Sequence, residues 1–518
     1  MDQNMKIGIG GVSLFVFGVA FGWVIFPQIL DSQIHTFIAL KPGSPTRDLW
    51  SKFPFFIEYK IYLFNVTNAD DVSNGAKPIL QEVGPYFFEE WHEKTDLFDR
   101  LDDDTLEYSV KRKWIFRPDL SEGLTGKEEV ILPHVFILAT VMSTLREKPH
   151  LMPLVNTAIN SIFRNPESLF MKVKAMDMIF DGIPIDCTVT DLTGSIACTM
   201  IKKEADSLMK DGDNRYKFSL LGVHNNTPTK ARTRVLRGVK NMMDVGLVTE
   251  YQGKKTIDKW NDPYCDTING TDGTIFHPFR DESEDVIFFT GEICRTMTAT
   301  FMEKSHAAGM QTNRYTIMID DTVPSQKCYC PSNINCPKKG IMDLYECVGA
   351  PVIVSHAHFY TADEDYINMV DGMEPSKEKH ETFLDFDPVS GAPLSARSRF
   401  QLNMPIKSVE KIPIMANLPD VLLPIVWMEE GLEVPDFLVD EVKKMHTFIT
   451  FAGCLKWLMV LAGLIMSVVA GYMYNQSSQK LSNFEITKFS NSKSGNEKKI
   501  PPINIHTIQS AQVSPNLV

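Results

Sequence analysis

The residues with most chemistry to offer are cysteines and histidines. Cys265, Cys294, Cys328, Cys330, Cys336 and Cys347 crowd the stretch 265–347. Their spacing is too irregular for paired zinc knuckles and reads as a disulfide framework made in an oxidising compartment. Cys187 and Cys198 are a candidate further pair, and Cys454 sits in an apolar run as an unpaired small residue. His356-Ala357-His358 would set two imidazoles on one face of a strand, but zinc needs a third ligand that the sequence does not nominate. No nucleophile elbow, P-loop, zincin helix or dinucleotide fingerprint occurs. The expectation is therefore a protein without catalytic site, metal or cofactor.

An oxidised middle must lie outside the cytosol, and the acceptors Asn65-Val-Thr, Asn225-Asn-Thr and Asn269-Gly-Thr agree. Two apolar runs can carry it there. Ile7–Ile29 has no charged residue, and Phe448–Tyr474 is charged only at Lys456, near enough to one end to snorkel. The first run is bulky up to Leu30 with no small-residue cleavage site, so it reads as an anchor rather than a signal peptide. Lys6 precedes it. The segment after the second run carries five lysines against Glu485 and Glu497, and the other flank of that run is acidic. The expected arrangement is a plasma-membrane protein: cytoplasmic 1–6, a span at 7–29, an ectodomain at 30–447, a span at 448–474 and a disordered cytoplasmic tail at 475–518. The net charge of −13 argues against nucleic acid as a partner.

The ectodomain must position these groups. Leu106, Tyr108, Val110, Trp114 and Phe116 alternate with Glu107, Ser109, Lys111 and Lys113. Tyr216, Phe218 and Leu220, and Tyr315, Ile317 and Ile319, alternate likewise, as half-buried antiparallel strands do. Between them the period changes. Val135, Leu138, Ala139, Met142 and Leu145, then Leu151 to Phe163, follow helical spacing. Asn165 and Pro166 could start a third helix carrying Leu169, Val173, Met176 and Phe180, ended by Asp181-Gly182. This helical insert at about 135–181 forms either a binding surface or a structural cap. Gly18 and Gly22, and Gly463, Ser467 and Gly471, recur every four residues in the spans. They suit pairing of the two spans, pairing of two chains, or ordinary small-residue usage.

Several stretches resemble the class B scavenger receptor family: Asn65-Val-Thr-Asn-Ala-Asp, Glu82-Val-Gly-Pro-Tyr-Phe-Phe, Asn269-Gly-Thr-Asp-Gly-Thr-Ile-Phe-His-Pro-Phe, Cys294-Arg295, Gly340-Ile-Met-Asp-Leu, Glu381-Thr-Phe-Leu-Asp-Phe-Asp-Pro and Leu423-Pro-Ile-Val-Trp-Met-Glu-Glu-Gly. The stretch from Asn165 to Gly182, with Cys187 and Cys198, is similar to the insect sensory neuron membrane proteins, leaning to type 2 over type 1. The resemblance implies an α+β membrane protein, with two terminal transmembrane helices flanking an antiparallel β-barrel ectodomain under a helical apex bundle. It implies the pairs Cys265–Cys328, Cys294–Cys347 and Cys330–Cys336, and a lipid-sized tunnel toward the bilayer. The family's basic apex residue has no clean counterpart; Arg164, Lys172 and Lys174 are the candidates at the ligand entrance. The family's proline before His358 is Ala357 here. The implied function is capture of hydrophobic odorants, pheromones or fatty-acid derivatives for delivery to the membrane or an odorant receptor, with an odorant-binding protein as a further partner. A general scavenger or adhesion receptor is the alternative.

Overall fold

The alternating stretches fold into one large antiparallel sheet. Its strands, numbered within the sheet, are β1 (Ile57–Val66), β2 (Leu80–Arg100), β3 (Thr105–Phe116), β4 (Thr227–Leu236), β5 (Val248–Tyr251), β6 (Val286–Thr290), β7 (Arg295–Ala307), β8 (Met310–Ile317), β9 (Ile341–Asp343), β10 (Ile353–Ser355), β11 (Phe383–Phe386), β12 (Pro393–Ile406) and β13 (Val421–Glu433). Their spatial order is β5-β4-β3-β2-β1-β13-β12-β11-β8-β7-β6, with β10 joining β12 and β9 joining β10. The computed structural model describes residues 3–203, 208–324, 326–330 and 336–493. It divides into two units, Met1–Leu30 with His446–Val518, and Asp31–Met445.

In the larger unit the ordering leaves β5 and β6 as free edges. A short segment inside the Asn269-Gly-Thr motif joins them. Thr271 pairs antiparallel with Leu247, beside β5, and parallel with Phe288 of β6. Val248 N donates to Gly270 O at 2.9 Å and Asp272 N to Gly246 O at 3.0 Å; on the other side Thr271 N donates to Ile287 O at 3.0 Å and Phe289 N to Thr271 O at 2.8 Å. The sheet thereby becomes a barrel wall without an open edge at this seam.

The cysteine-rich stretch lies beside the seam. The sulfurs pair as Cys265–Cys328, Cys294–Cys347 and Cys330–Cys336. They surround Arg295, which is 2% exposed. Its guanidinium binds Asp321 through two bonds, at 2.7 and 3.1 Å, and lies over the rings of Trp260 and Tyr329. Trp260 Nε1 donates to Cys294 O at 2.7 Å.

Helices Val135–Glu147 and Met152–Ile162 form where the apolar stripes predict them, and the main core packs them on the β1 and β13 halves that hold Ile61, Leu63, Leu423 and Val426. The third helix expected from Asn165 does not form. Arg164 and Asn165 both take positive φ (57° and 53°), which ends the preceding helix and withdraws Asn165 from an N-cap geometry. Phe170–Lys174 is a strand paired with Glu129–Pro133, and only residues 175–181 turn helically. A helix absent from the sequence reading, Leu192–Lys203, packs against Met152–Ile162 and is tied by Cys187–Cys198.

The terminal unit holds two helices long and apolar enough to span a membrane, Gln3–Ile38 and Asp436–Thr487. Both exceed the apolar runs. The second continues to Lys493, so residues 475–493 are helical rather than disordered; adding residues to an existing helix avoids the cost of nucleation. The remaining tail, 494–518, lies outside the described residues. Glycines bring the two helices together: a Cβ on Gly11 would meet Ser467 N at 2.7 Å, one on Gly18 would meet Met459 Cβ at 2.9 Å, and one on Gly463 would strike the backbone of Phe15.

The seam makes a prediction. Gly270 has φ +83°, and a Cβ there would collide with the Ile287 carbonyl. Gly273 also has positive φ, but its nearest heavy atom would be 3.6 Å away. Both incur the left-handed penalty of about 1–2 kcal/mol on gaining a Cβ, and Gly270→Ala adds an overpacking cost of roughly 1–3 kcal/mol. Gly270→Ala should lower the melting temperature of the purified protein well below that of Gly273→Ala; equal values would show that the seam contributes nothing to stability.

Candidate functional site

Directly opposed residues in an antiparallel sheet share a face. Tyr59 opposes Phe88 and Glu430, Glu90 opposes Trp114, and His92 opposes Arg112. Arg112 reaches Glu292, beyond β6, at 3.2 Å, and Lys94 reaches Asp272 of the seam at 3.6 Å. A side chain crosses to the far side of the seam only on the concave face, so these residues line the barrel interior.

The inner wall carries two polar groups. In the first, Asp272 accepts from Tyr108 OH at 2.7 Å and Trp50 Nε1 at 3.2 Å, and Lys94 Nζ lies 4.2 Å from the Trp50 ring. Burial pushes the Lys94 amine down to about 8, against the pull of Asp272. In the second, Glu90, His92 and Glu430 turn one atom each toward a common point, all within 4.8 Å of one another. Glu90 is 1% exposed. Burial raises the Glu430 carboxyl, and the charge of Glu90 raises it further. Burial works against charge on Arg112, but Glu292 and Glu90 more than offset it.

The opposite face of the wall is packed under the segment 356–382. His358 and His380 stack there at 4.4 Å. Glu82 Oε2 accepts from Trp427 Nε1 at 2.6 Å and from His358 Nε2 at 2.6 Å, the other ring nitrogen of His358 accepting from Glu374 N at 3.0 Å. Burial pushes Glu82 up, yet these bonds bring it below its ordinary value. His356 and His358 do not lie on one strand face as their spacing suggests. β10 ends at Ser355, and His358 has φ +52°, which turns its ring away to His380 while His356 binds Thr361.

A CD36 family model matches residues 9–474. The chain belongs to the CD36 family. This is the scavenger-receptor family its motifs resemble. It is 45% identical to Sensory neuron membrane protein 1 of Apis mellifera, covering 99% of both chains. It is 42% identical to the protein of that name from Antheraea polyphemus, over 92% of this chain and 91% of the relative. The Manduca sexta protein of that name is 40% identical over 90% of each. These relatives bear the type 1 designation, not the type 2 toward which the motifs lean.

Of the residues expected at a ligand entrance in this CD36-family chain, Lys172 and Lys174 project from one face of the strand Phe170–Lys174, exposed, with Lys172 paired to Glu129. Arg164 sits in the turn before that strand, 81% exposed, and binds Asp186 at 2.8 Å. Asn269 is exposed. Asn65 and Asn225 are half-buried, their side-chain carbonyls accepting from Ile131 N and Trp114 N at 2.8 Å. Sequence reasoning missed the apolar stripe of Leu192, Ile196 and Met200, exposed by 78%, 52% and 62%. Its i, i+4, i+8 spacing was the available signal. It also missed the inner-wall charges, because polar residues on both faces of β2 hide its period of two.

Three histidines set a pH limit. Burial holds His134, His356 and His380 down to about 4, and His358 adds to the effect on His380. Unfolded histidines titrate near 6.5. Between about 6.5 and 4 the unfolded chain therefore binds more protons, so stability is complete above this window and falls as pH drops through it. The melting temperature of the purified protein should be lower at pH 5 than at pH 7.5. His380→Gln should shrink that difference; an unchanged difference would discount the buried imidazole.

Proposed function

We propose that this chain is a cell-surface receptor of chemosensation that captures hydrophobic ligands, such as pheromones or fatty-acid derivatives, and passes them through the ectodomain interior to the membrane or an odorant receptor. The observation that carries this reading is an incompletely packed inner face of the barrel wall. Arg112 keeps 35% of its side-chain surface, and Val110, Phe116 and Glu430 on the same face are half-buried rather than buried. Leu192, Ile196 and Met200 offer an apolar landing surface on the apex helix, and Arg164, Lys172 and Lys174 offer positive charge toward a polar head group or an odorant-binding protein. Each methylene removed from water contributes about 0.8 kcal/mol, so a chain of roughly twelve to sixteen carbons gains on the order of 10 kcal/mol without any catalysis. The ectodomain, 30–447, faces the extracellular side with sugars on Asn65, Asn225 and Asn269, and both termini are cytoplasmic in the plasma membrane.

The family match over 9–474 favours a second reading, a general scavenger or adhesion receptor for lipid particles. One substitution separates the two. Ser398 opposes Glu430 on the inner face and is half-buried. In cells expressing the full chain, Ser398→Trp should cut transfer of a fluorescent long-chain fatty acid about tenfold, with surface expression and binding of lipid particles intact and Ser398→Ala near wild type. Transfer undiminished by the tryptophan would leave only the scavenger reading.

A further inference from the structure

We propose that Glu90, His92 and Glu430 form a binding site for a divalent transition-metal ion of the zinc class on the inner wall of the barrel. Glu90 and His92 stand two residues apart on β2, so both project inward. Glu430 enters from β13, on the far side of β1. One donor atom from each lies within 4.8 Å of the other two. Bonds of about 2.0–2.2 Å to a shared ion would set these atoms roughly 3–4 Å apart, within reach of small side-chain rotations.

A second observation points to a ligand at this place. Glu90 is 1% exposed, and its Oε2 has no hydrogen-bond partner among the described residues. A buried carboxylate oxygen without a partner is costly, and such groups are normally satisfied. His92 Nε2 lies 3.0 Å from Glu90 Oε1 but without the alignment of a hydrogen bond. An unpartnered carboxylate oxygen, an unpartnered imidazole nitrogen and a second carboxylate thus meet in one cluster, and a cation would satisfy the first two.

The donor set selects the class of ion. One imidazole with two carboxylates suits zinc, manganese or cobalt, and leaves positions open toward the interior. Calcium prefers six to eight oxygens and is a poor match. Arg112 at 3.6 Å from Glu90 offsets part of the negative charge, so the site suits a single divalent ion rather than a pair. An ion here would tie β2 to β13 across β1. The inference is independent of ligand transport.

The test uses the full chain in detergent, stripped with a chelator and then dialysed against Zn²⁺. We expect one equivalent bound, and Glu90→Gln, His92→Gln and Glu430→Gln each to weaken it at least tenfold. Co²⁺ should give the visible absorption of an ion held by nitrogen and oxygen ligands, at the same stoichiometry. The cobalt spectrum is read on the wild-type protein, so it holds even if a variant fails to fold. Absence of stoichiometric Zn²⁺ uptake, absence of that spectrum, or uptake that survives in folded variants would each overturn the proposal.

Discussion

An antiparallel sheet with two free edges must pair them, cover them or leave a row of unsatisfied backbone groups. Here the pairing depends on Gly270, Thr271 and Asp272, which hydrogen-bond to β5 on one side and β6 on the other. So short a segment gains little from its own bonds. Its position is fixed by what flanks it. Cys265 is bonded to Cys328 and Cys294 to Cys347, closing separations of 63 and 53 residues, each of which removes about 4 kcal/mol of unfolded-state entropy on the chain-entropy account. Asn269 N and Thr296 Oγ1 hold the same turn from β7 at 3.2 Å. The disulfide stretch is thus the clamp on the seam, and Arg295 is its centre. A buried guanidinium is tolerable there because Asp321 and two aromatic faces meet its charge.

Once closed, the barrel is uneven along its length. Ile61, Leu63 and Val426 are fully buried among the apex helices, whereas Tyr59, Glu90, His92, Arg112 and Glu430 ring a polar belt farther along the same strands. Stability therefore concentrates at the apex end, and the belt adds groups that must satisfy one another. On the proposed reading, a ligand entering at the apex would have to part packed aliphatic side chains to reach the belt, so opening of the apex end rather than diffusion along the interior would limit passage.

How much of this was legible follows from how local each signal is. β3 was readable because its inner residues are apolar, Arg112 excepted, and most of its outer ones are polar. β2 was not, since Glu90, His92 and Lys94 point inward while Glu89, Trp91 and Glu93 point outward. The spacing Leu169, Val173, Met176, Phe180 fits a helix well, but a strand partner at Glu129–Pro133 overrides it, and nothing near residue 170 announces that partner. His358 was visible as half of a pair; its true neighbour, His380, lies 22 positions on in the sequence and meets it only through the fold. The seam could be seen as a glycine-containing motif and not as a closure, because the strands it joins are defined by pairings elsewhere.

The terminal helices show the same dependence on context. Their small residues were compatible with contact inside one chain or between two. The structure uses Gly11, Gly18 and Gly463 within the chain, at separations that leave no space for a Cβ. Gly22 makes room for a side chain instead. The stem of Lys456 lies over it, and the ammonium sits 4.5 Å from the Trp23 ring and 5.5 Å from that of Trp457. A cation in an apolar span is thus met by aromatic faces. The spacing of small residues in the sequence left open which of them would meet the other helix: Gly18 and Gly463 do, whereas Gly471 meets no atom within 4 Å.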